Sequence, residues 1–235
     1  MSAAYTSSHL ANLALHVAAG GIGIAFGLAV LWRPKGTLAH KAAGRWFALC
    51  VGVVCATAAL GNMLFGFRPL FATLALLVGY QLVSGLRVAR TREQGPDVGD
   101  ALLTVLTCGA AAWLSTMIGM AQAPVARSTL AALFVLLAYD TLRLFFPHRW
   151  RGTLWRYEHV YKMVACLFGM ISAASGNLLA AWQPWSQLLP SVAGMGVIIA
   201  QWWGLRRRAK SGSPGHHPAP ASAPAYPQPS PSSSR

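Results

Sequence analysis

The stretch LANLALHVAAGGIGIAFGLAVLW at 10–32 decides the fold, because it runs for 23 residues without a Lys, Arg, Asp or Glu. A helix rises about 1.5 Å per residue, so a run of this length spans the roughly 30 Å apolar layer of a bilayer. It lacks the apolar–polar alternation of a lipid-facing barrel strand, which argues for a helix. GIGIAFG at 21–27 superficially matches a dinucleotide-binding glycine pattern, but it lies inside the run with no strand before it. Gly23 and Gly27, four apart, read instead as a face that lets another helix approach closely, and Ser172 and Gly176 repeat the spacing. No Lys or Arg precedes the run, and it is longer than the apolar part of a signal peptide, so it is expected to be retained.

Six further runs follow at 46–67, 70–88, 101–120, 128–145, 160–181 and 188–205. Proline removes a backbone donor and belongs near helix ends, and Pro34, Pro69, Pro96, Pro124, Pro147 and Pro184 fall one in each connection, with Pro190 expected to open the last helix. Eight of the nine tryptophans lie near a proposed end, where an indole suits the headgroup layer, and only Trp113 falls mid-span. Composition agrees: 55% of residues are hydrophobic and 10% charged, against about 25% charged in a soluble domain. The expected fold is therefore an all-α, seven-helix transmembrane bundle occupying 1–209. Residues 210–235, rich in Pro, Ser and Ala and carrying His216 and His217, cannot build a core and are expected to form a disordered cytoplasmic tail.

A net charge of +14 would suggest a nucleic-acid partner in a soluble chain. Here the basic residues lie between apolar runs, so the expected partner is the lipid bilayer and nucleic acid is excluded. The first, third and fifth connections and the tail, with adjacent helix ends, carry 17 of the 19 Lys and Arg, leaving only Arg68 and Arg127 opposite. Basic residues are retained on the cytoplasmic side, which places the N-terminus outside and the C-terminus inside. Cys50, Cys55, Cys108 and Cys166 all fall within runs and show no C-x-x-C spacing, so they read as small apolar residues.

Ionisable groups inside a membrane cost several kcal/mol unless paired or hydrated, which makes their placement the main functional clue. All five acids, Glu93, Asp97, Asp100, Asp140 and Glu158, fall toward the basic side, together with His40, His148 and His159. Asp140 and Arg143, three apart, are expected to form a local pair. The candidate site on this face is His40, Arg45, Asp140, Glu158 and His159, with imidazoles and carboxylates as proton carriers or ligands and Arg45 as an anion contact. The outer alternative starts from His9, Asn12 and His16 on one face of the first helix. It takes His16 with Asn62 and Asn177, which either bond across helices or hold a ligand. TAALGNML at 57–64 aligns without gaps on SAASGNLL at 172–179, suggesting that helices 1–3 and 5–7 are parallel repeats joined by helix 4.

The segment HKAAGRWF at 40–47, following the helix that carries His16, resembles a family of bacterial multi-pass membrane proteins of unknown function, which show an H-R-x-x-G-R-x-aromatic loop after helix 1. Lys41 stands at the Arg position, and the likeness extends more weakly to HVYKM at 159–163. The resemblance implies a multi-pass inner-membrane protein and no reaction.

Three functions are compatible with these residues. The first is a small-molecule or ion transporter, or a membrane interaction protein, with no cofactor. The second is a redox protein binding b-type haem or quinone, with His40 and His159 as the pair available near the inner surface. The third is a metal-dependent intramembrane hydrolase drawing on Glu158, His159, His40 and Asp140, although no H-E-x-x-H motif is present. A retinal protein is disfavoured because the last run has no internal Lys.

Overall fold

The computed structural model describes residues 7–118, 124–145 and 148–211, and among these no strand occurs. The helices are α1 (Ser7–Trp32), α2 (Leu38–Leu64), α3 (Pro69–Thr91), α4 (Val98–Met117), α5 (Pro124–Arg143), α6 (His148–Leu178) and α7 (Trp185–Ser211). Short 3-10 turns at Arg92–Gln94 and Ala180–Trp182 complete the set. The tail with His216 and His217 lies outside the described residues, as does the side chain of His148.

Six helices, α1 to α5 and α7, are long and apolar enough to cross a membrane. The exception, α6, carries Arg149, Arg151, Arg156, Glu158 and Lys162 in its first half. Large apolar side chains such as Val17, Leu49, Val105, Val135 and Val192 face outward, while Lys162 is fully enclosed. The molecule thus has apolar surface outside and charge within, the reverse of a soluble domain.

Helix boundaries move outward from the sequence expectation wherever charge interrupts an apolar run. Helix α2 begins at Leu38 rather than 46, because Gly36 turns at φ +83° and Thr37 caps the helix, its Oγ1 accepting from His40 N at 3.2 Å. The segment from His40 to Arg45 is therefore helical and not a loop. Helix α6 begins at His148 rather than 160, so Glu158 and His159 lie well inside a helix. Neither Lys, Arg nor Glu breaks a helix, but each lowers a hydropathy average.

Pro190 lies inside α7 and does not open it. Its missing N–H would leave the Ser186 carbonyl bare, and the Ser175 hydroxyl of α6 donates to that carbonyl at 2.5 Å. The neighbouring Gln187 carbonyl accepts from Ser172 Oγ at 2.5 Å. Close approach elsewhere relies on glycine. Gly23 and Gly27 pack on α2 and α6, a Cβ at Gly27 meeting Leu167 Cδ1 at 2.5 Å and Phe47 Cδ2 at 3.0 Å. Around them Phe47, Val51, Val78, Leu82, Leu167 and Met170 form one apolar cluster, and Ala111, Leu133, Leu136 and Leu137 form a second between α4 and α5, against Tyr80 of α3.

One stability prediction follows from the α6–α7 contact. A Cβ at Gly194 would stand 2.7 Å from Phe168 Cβ, an atom that moves only if the helices part. Gly194→Ala should cost about 1–3 kcal/mol of overpacking. Gly196→Ala, with nothing within 4 Å, should instead gain up to about 1 kcal/mol of helix propensity. Thermal unfolding of the two variants in detergent checks the opposite signs.

Contacts fix which ends lie together. His9 stacks on Phe65, and Phe67 meets Trp113, joining the start of α1 to the α2–α3 connection and the end of α4. At the other end Arg87 of α3 meets Asp97 and Asp100 at the start of α4, Arg143 of α5 meets Glu158 of α6, and Trp202 of α7 donates to the Tyr157 carbonyl. Successive helices therefore alternate in direction, and the second group of ends is the basic end.

Candidate functional site

Glu158 and Lys162 are one turn apart on α6 and share a face. That face is buried: their relative exposures are 5% and 0%. Lys162 lies 16 residues before Leu178, and Asp140 lies 16 residues after Pro124, so both sit about 24 Å from the far ends of their helices.

Lys162 Nζ donates to Asp140 Oδ1 at 2.7 Å, to Asp140 Oδ2 at 3.0 Å and to Ser84 Oγ at 2.7 Å. Asp140 Oδ2 also accepts from Tyr80 O–H at 2.6 Å and from Ser84 Oγ at 3.3 Å. All three Lys donors and the Asp acceptors are accounted for by side chains of α3, α5 and α6. Tyr80 Oη lies 3.0 Å from Thr104 Oγ1 of α4, which itself donates to the Asp100 carbonyl at 2.9 Å.

The same web continues toward the basic end. Arg143 Nη1 donates to Glu158 Oε2, whose other oxygen accepts from Tyr139 O–H at 2.9 Å. Arg143 also stands 3.9 Å from both Asp140 and Asp100, and Arg87 Nε donates to Asp100 Oδ1 at 2.9 Å while its Nη2 binds Asp97. Three cations, Lys162, Arg143 and Arg87, therefore meet four carboxylates, which are four of the chain's five acids. The Arg143 guanidinium reaches a small cleft whose lining includes Arg92, Gly95, Trp155 and Glu158. At its rim Arg92, held at φ +46°, stacks over Trp155 with 5.7 Å to the ring centre.

Asp97 and Asp100 form a capping box on α4, each carboxylate accepting from the other's backbone N–H. The Asp100 N–H and, next, the Arg87 charge hold the Asp97 carboxyl below its ordinary range. Its contribution to stability is therefore complete above the unfolded carboxylate pKa and is lost as the pH falls through the lower folded value. Asp97→Ala should cost about 1 kcal/mol at neutral pH and flatten the acid limb of a stability–pH profile measured in detergent.

Of the expected inner residues, Asp140 and Glu158 belong to the web, bridged by Arg143. The expected local pair is a secondary contact: at 3.9 Å it is longer than the bonds that join Asp140 to Lys162 and Arg143 to Glu158. His159, next to Glu158 but about 100° around the helix, points elsewhere, with Nδ1 3.0 Å from the Gly85 carbonyl. His40 Nδ1 is buried without a hydrogen-bond partner. Arg45 is exposed on α2 and joins none of these groups. Among the described residues no three His, Cys, Asp or Glu side chains converge to hold a metal ion, and the four cysteines are free thiols.

The outer set does not assemble. His16 Nδ1 is 2.9 Å from Thr57 Oγ1, and Asn12 Nδ2 donates to the Thr57 carbonyl at 3.1 Å, so Thr57 is the partner of that face. Asn62 and Asn177 bond back to the carbonyls of Ala58 and Ala173 on their own helices, and Asn62 also accepts from Arg68 N. The two asparagines thus make the same bond, to the carbonyl four residues back, at matching positions of the aligned segments. The sequence reading missed Lys162, Tyr80, Ser84, Arg87, Asp100 and Thr104 as site residues. The spacing of Glu158 and Lys162 was the available signal, hidden by starting the helix at 160. Against protein-family models, curated proteins and solved structures alike, the chain finds no match.

Proposed function

We propose that the protein crosses a bacterial inner membrane seven times, N-terminus outside, and moves protons through the polar site between α3, α4, α5 and α6. The observation that carries this reading is the fully enclosed Lys162–Asp140 pair with Tyr80 and Ser84. Ionisable residues at this depth are rare and face pathways or relays. As a brace such a pair is a poor choice, since apolar side chains of similar volume stabilise as well or better. It does suit proton movement: a proton shifted from Lys162 to Asp140 leaves a neutral pair, and the hydroxyls of Tyr80 and Ser84 can exchange donor and acceptor roles beside it. Glu158 and Arg143 connect the pair to the cleft at the basic end.

The seventh crossing is α6. Its charges from Arg149 to Glu158 gather at the basic end, and beyond Glu158 its one charge, Lys162, is neutralised by α5. The orientation follows from the basic end being cytoplasmic. Kinship with the family sharing the H-R-x-x-G-R-x-aromatic segment is part of the same reading. Reconstituted in vesicles loaded with a pH dye and given a potassium-diffusion potential, the protein should acidify or alkalinise the lumen according to the sign of the potential. Asp140→Asn should slow that flux at least tenfold. Equal flux in protein-free and protein-containing vesicles would sink the reading.

A second reading is favoured by the imidazoles. The Gly85 carbonyl beside His159 Nδ1 is the arrangement that fixes a ligating histidine through its other nitrogen, and His40 Nδ1 is unpartnered. A haem held by this pair would give Soret and α bands in the dithionite-reduced spectrum that vanish in His159→Ala. A colourless protein, expressed with haem supplied, rejects it.

A further inference from the structure

Lys162 and Glu158 stand at one end of a longer polar line. On α6, positions 158, 162, 169, 172 and 176 fall within an arc of about 80° around the axis, and they are Glu, Lys, Gly, Ser and Gly. Opposite the first part of this face stands α3. There Ser84 touches Lys162, and Gln81 lies one turn farther from the basic end, its amide oxygen 4.0 Å from where a Cβ on Gly169 would be. Opposite the second part stands α7, whose Gln187 side chain lies against Gly176 and whose carbonyl takes the Ser172 hydroxyl. The Gln183 amide donates to the Gly176 carbonyl at 2.9 Å where the line reaches the far end.

Two atoms on this line, Gln81 Oε1 and Gln187 Oε1, are buried and unpartnered, as is Ser186 Oγ on the residue before Gln187. Their residues are 8%, 7% and 7% exposed. A buried polar atom with no partner costs about 1–3 kcal/mol, and two amide oxygens and a hydroxyl so placed are not explained by helix packing, for which Leu or Ala would serve. The successive steps, Ser84 to Gln81 on α3 and Gly169 to Ser172 on α6, are each one turn, about 5 Å along the axis. A single water hydrogen-bonded to both sides bridges such a step.

We infer that the seam formed by Gln81, Ser172, Ser186 and Gln187 along α6 is the route by which protons pass, through hydrogen-bonded water, between the Lys162–Asp140 pair and the far side of the membrane. The inference rests on the proposed function and adds the path, through hydrogen-bonded water along α6. Each transfer moves a proton from one oxygen to the next without net consumption, and the chain resets by rotation of waters and of the Ser hydroxyls. The glycines at 169 and 176 let the side chains of Val78 and Gln187 come against the α6 backbone, and the amide oxygens accept from water without competing for the proton.

The test uses the full chain in dye-loaded vesicles. Gln81→Leu keeps the volume of the side chain and removes its polar end, and it should lower proton flux at least tenfold, with Gln81→Glu restoring it. Ser172→Val blocks the same seam from α6 and guards against one variant that merely folds badly. Wild-type flux in both Gln81→Leu and Ser172→Val, with Asp140→Asn inactive, would overturn the route while leaving the proposed function standing. No flux in the wild-type protein overturns both.

Discussion

Lys162→Met is expected to be among the most destabilising single substitutions in the protein. It leaves Asp140 enclosed with only the hydroxyls of Tyr80 and Ser84, and stranding one member of a buried pair costs about 3–5 kcal/mol. Asp140→Leu should cost a similar amount by stranding the ammonium, which is 0% exposed. The combined variant should recover most of the loss, because a Met and a Leu fill the volume and need no partner. Thermal unfolding of the four proteins in one detergent measures the coupling, and simple additivity of the two losses would show that the pair does not exist as described.

The second large effect is expected at Arg143. Its guanidinium is the cation shared by three carboxylates, bound to Glu158 and 3.9 Å from Asp140 and Asp100. Arg143→Met removes that charge and leaves the carboxylates of α4, α5 and α6 converging, with Lys162 and Arg87 at the two edges. The loss should again be about 3–5 kcal/mol at neutral pH. Thermal unfolding in detergent against the wild-type protein measures the loss, and an unchanged midpoint would mean that Arg143 does not organise the carboxylates.

Both effects concern residues that the sequence displayed unevenly. The helical class, the approximate spans and the end carrying basic charge follow from apolar run length and proline placement, which act locally and need no tertiary knowledge. Asp140 and Glu158 were visible as acids in an apolar context. Lys162 was not, because it lay at the edge of a run that began, on hydropathy, just before it, and a Lys there reads as a snorkelling end residue. Only the real start of α6 at His148 carries Lys162 inward to face α5. Tyr80, Ser84 and Thr104 are ordinary in transmembrane helices, and their convergence depends on how α3, α4 and α5 rotate against one another, which the sequence pattern does not set. The outer cluster failed for the complementary reason. His16, Asn62 and Asn177 were grouped by polarity and depth, but Asn62 and Asn177 donate to carbonyls of their own helices, and the unremarkable Thr57 is what meets α1.

The same comparison separates the glycines. Gly23 and Gly27 serve helix packing, as their four-residue spacing suggested, with Cys50, Phe47, Leu167 and Met170 as their neighbours. Gly99 works differently. A Cβ there would stand 2.5 Å from Arg87 Nη2, so the bare backbone lets the guanidinium lie across the start of α4 and reach both Asp97 and Asp100.

The central claim is that the Lys162–Asp140 pair is kept for moving protons and not for holding helices together. The measurement that tests it most directly is proton flux through vesicles containing the Lys162→Met, Asp140→Leu double variant, reconstituted beside the wild-type protein after its thermal midpoint in detergent has been shown to match. The account predicts a folded, stable protein whose flux falls to the level of empty vesicles. A double variant that moves protons as fast as the wild type would contradict it, and would leave the pair as a structural contact alone.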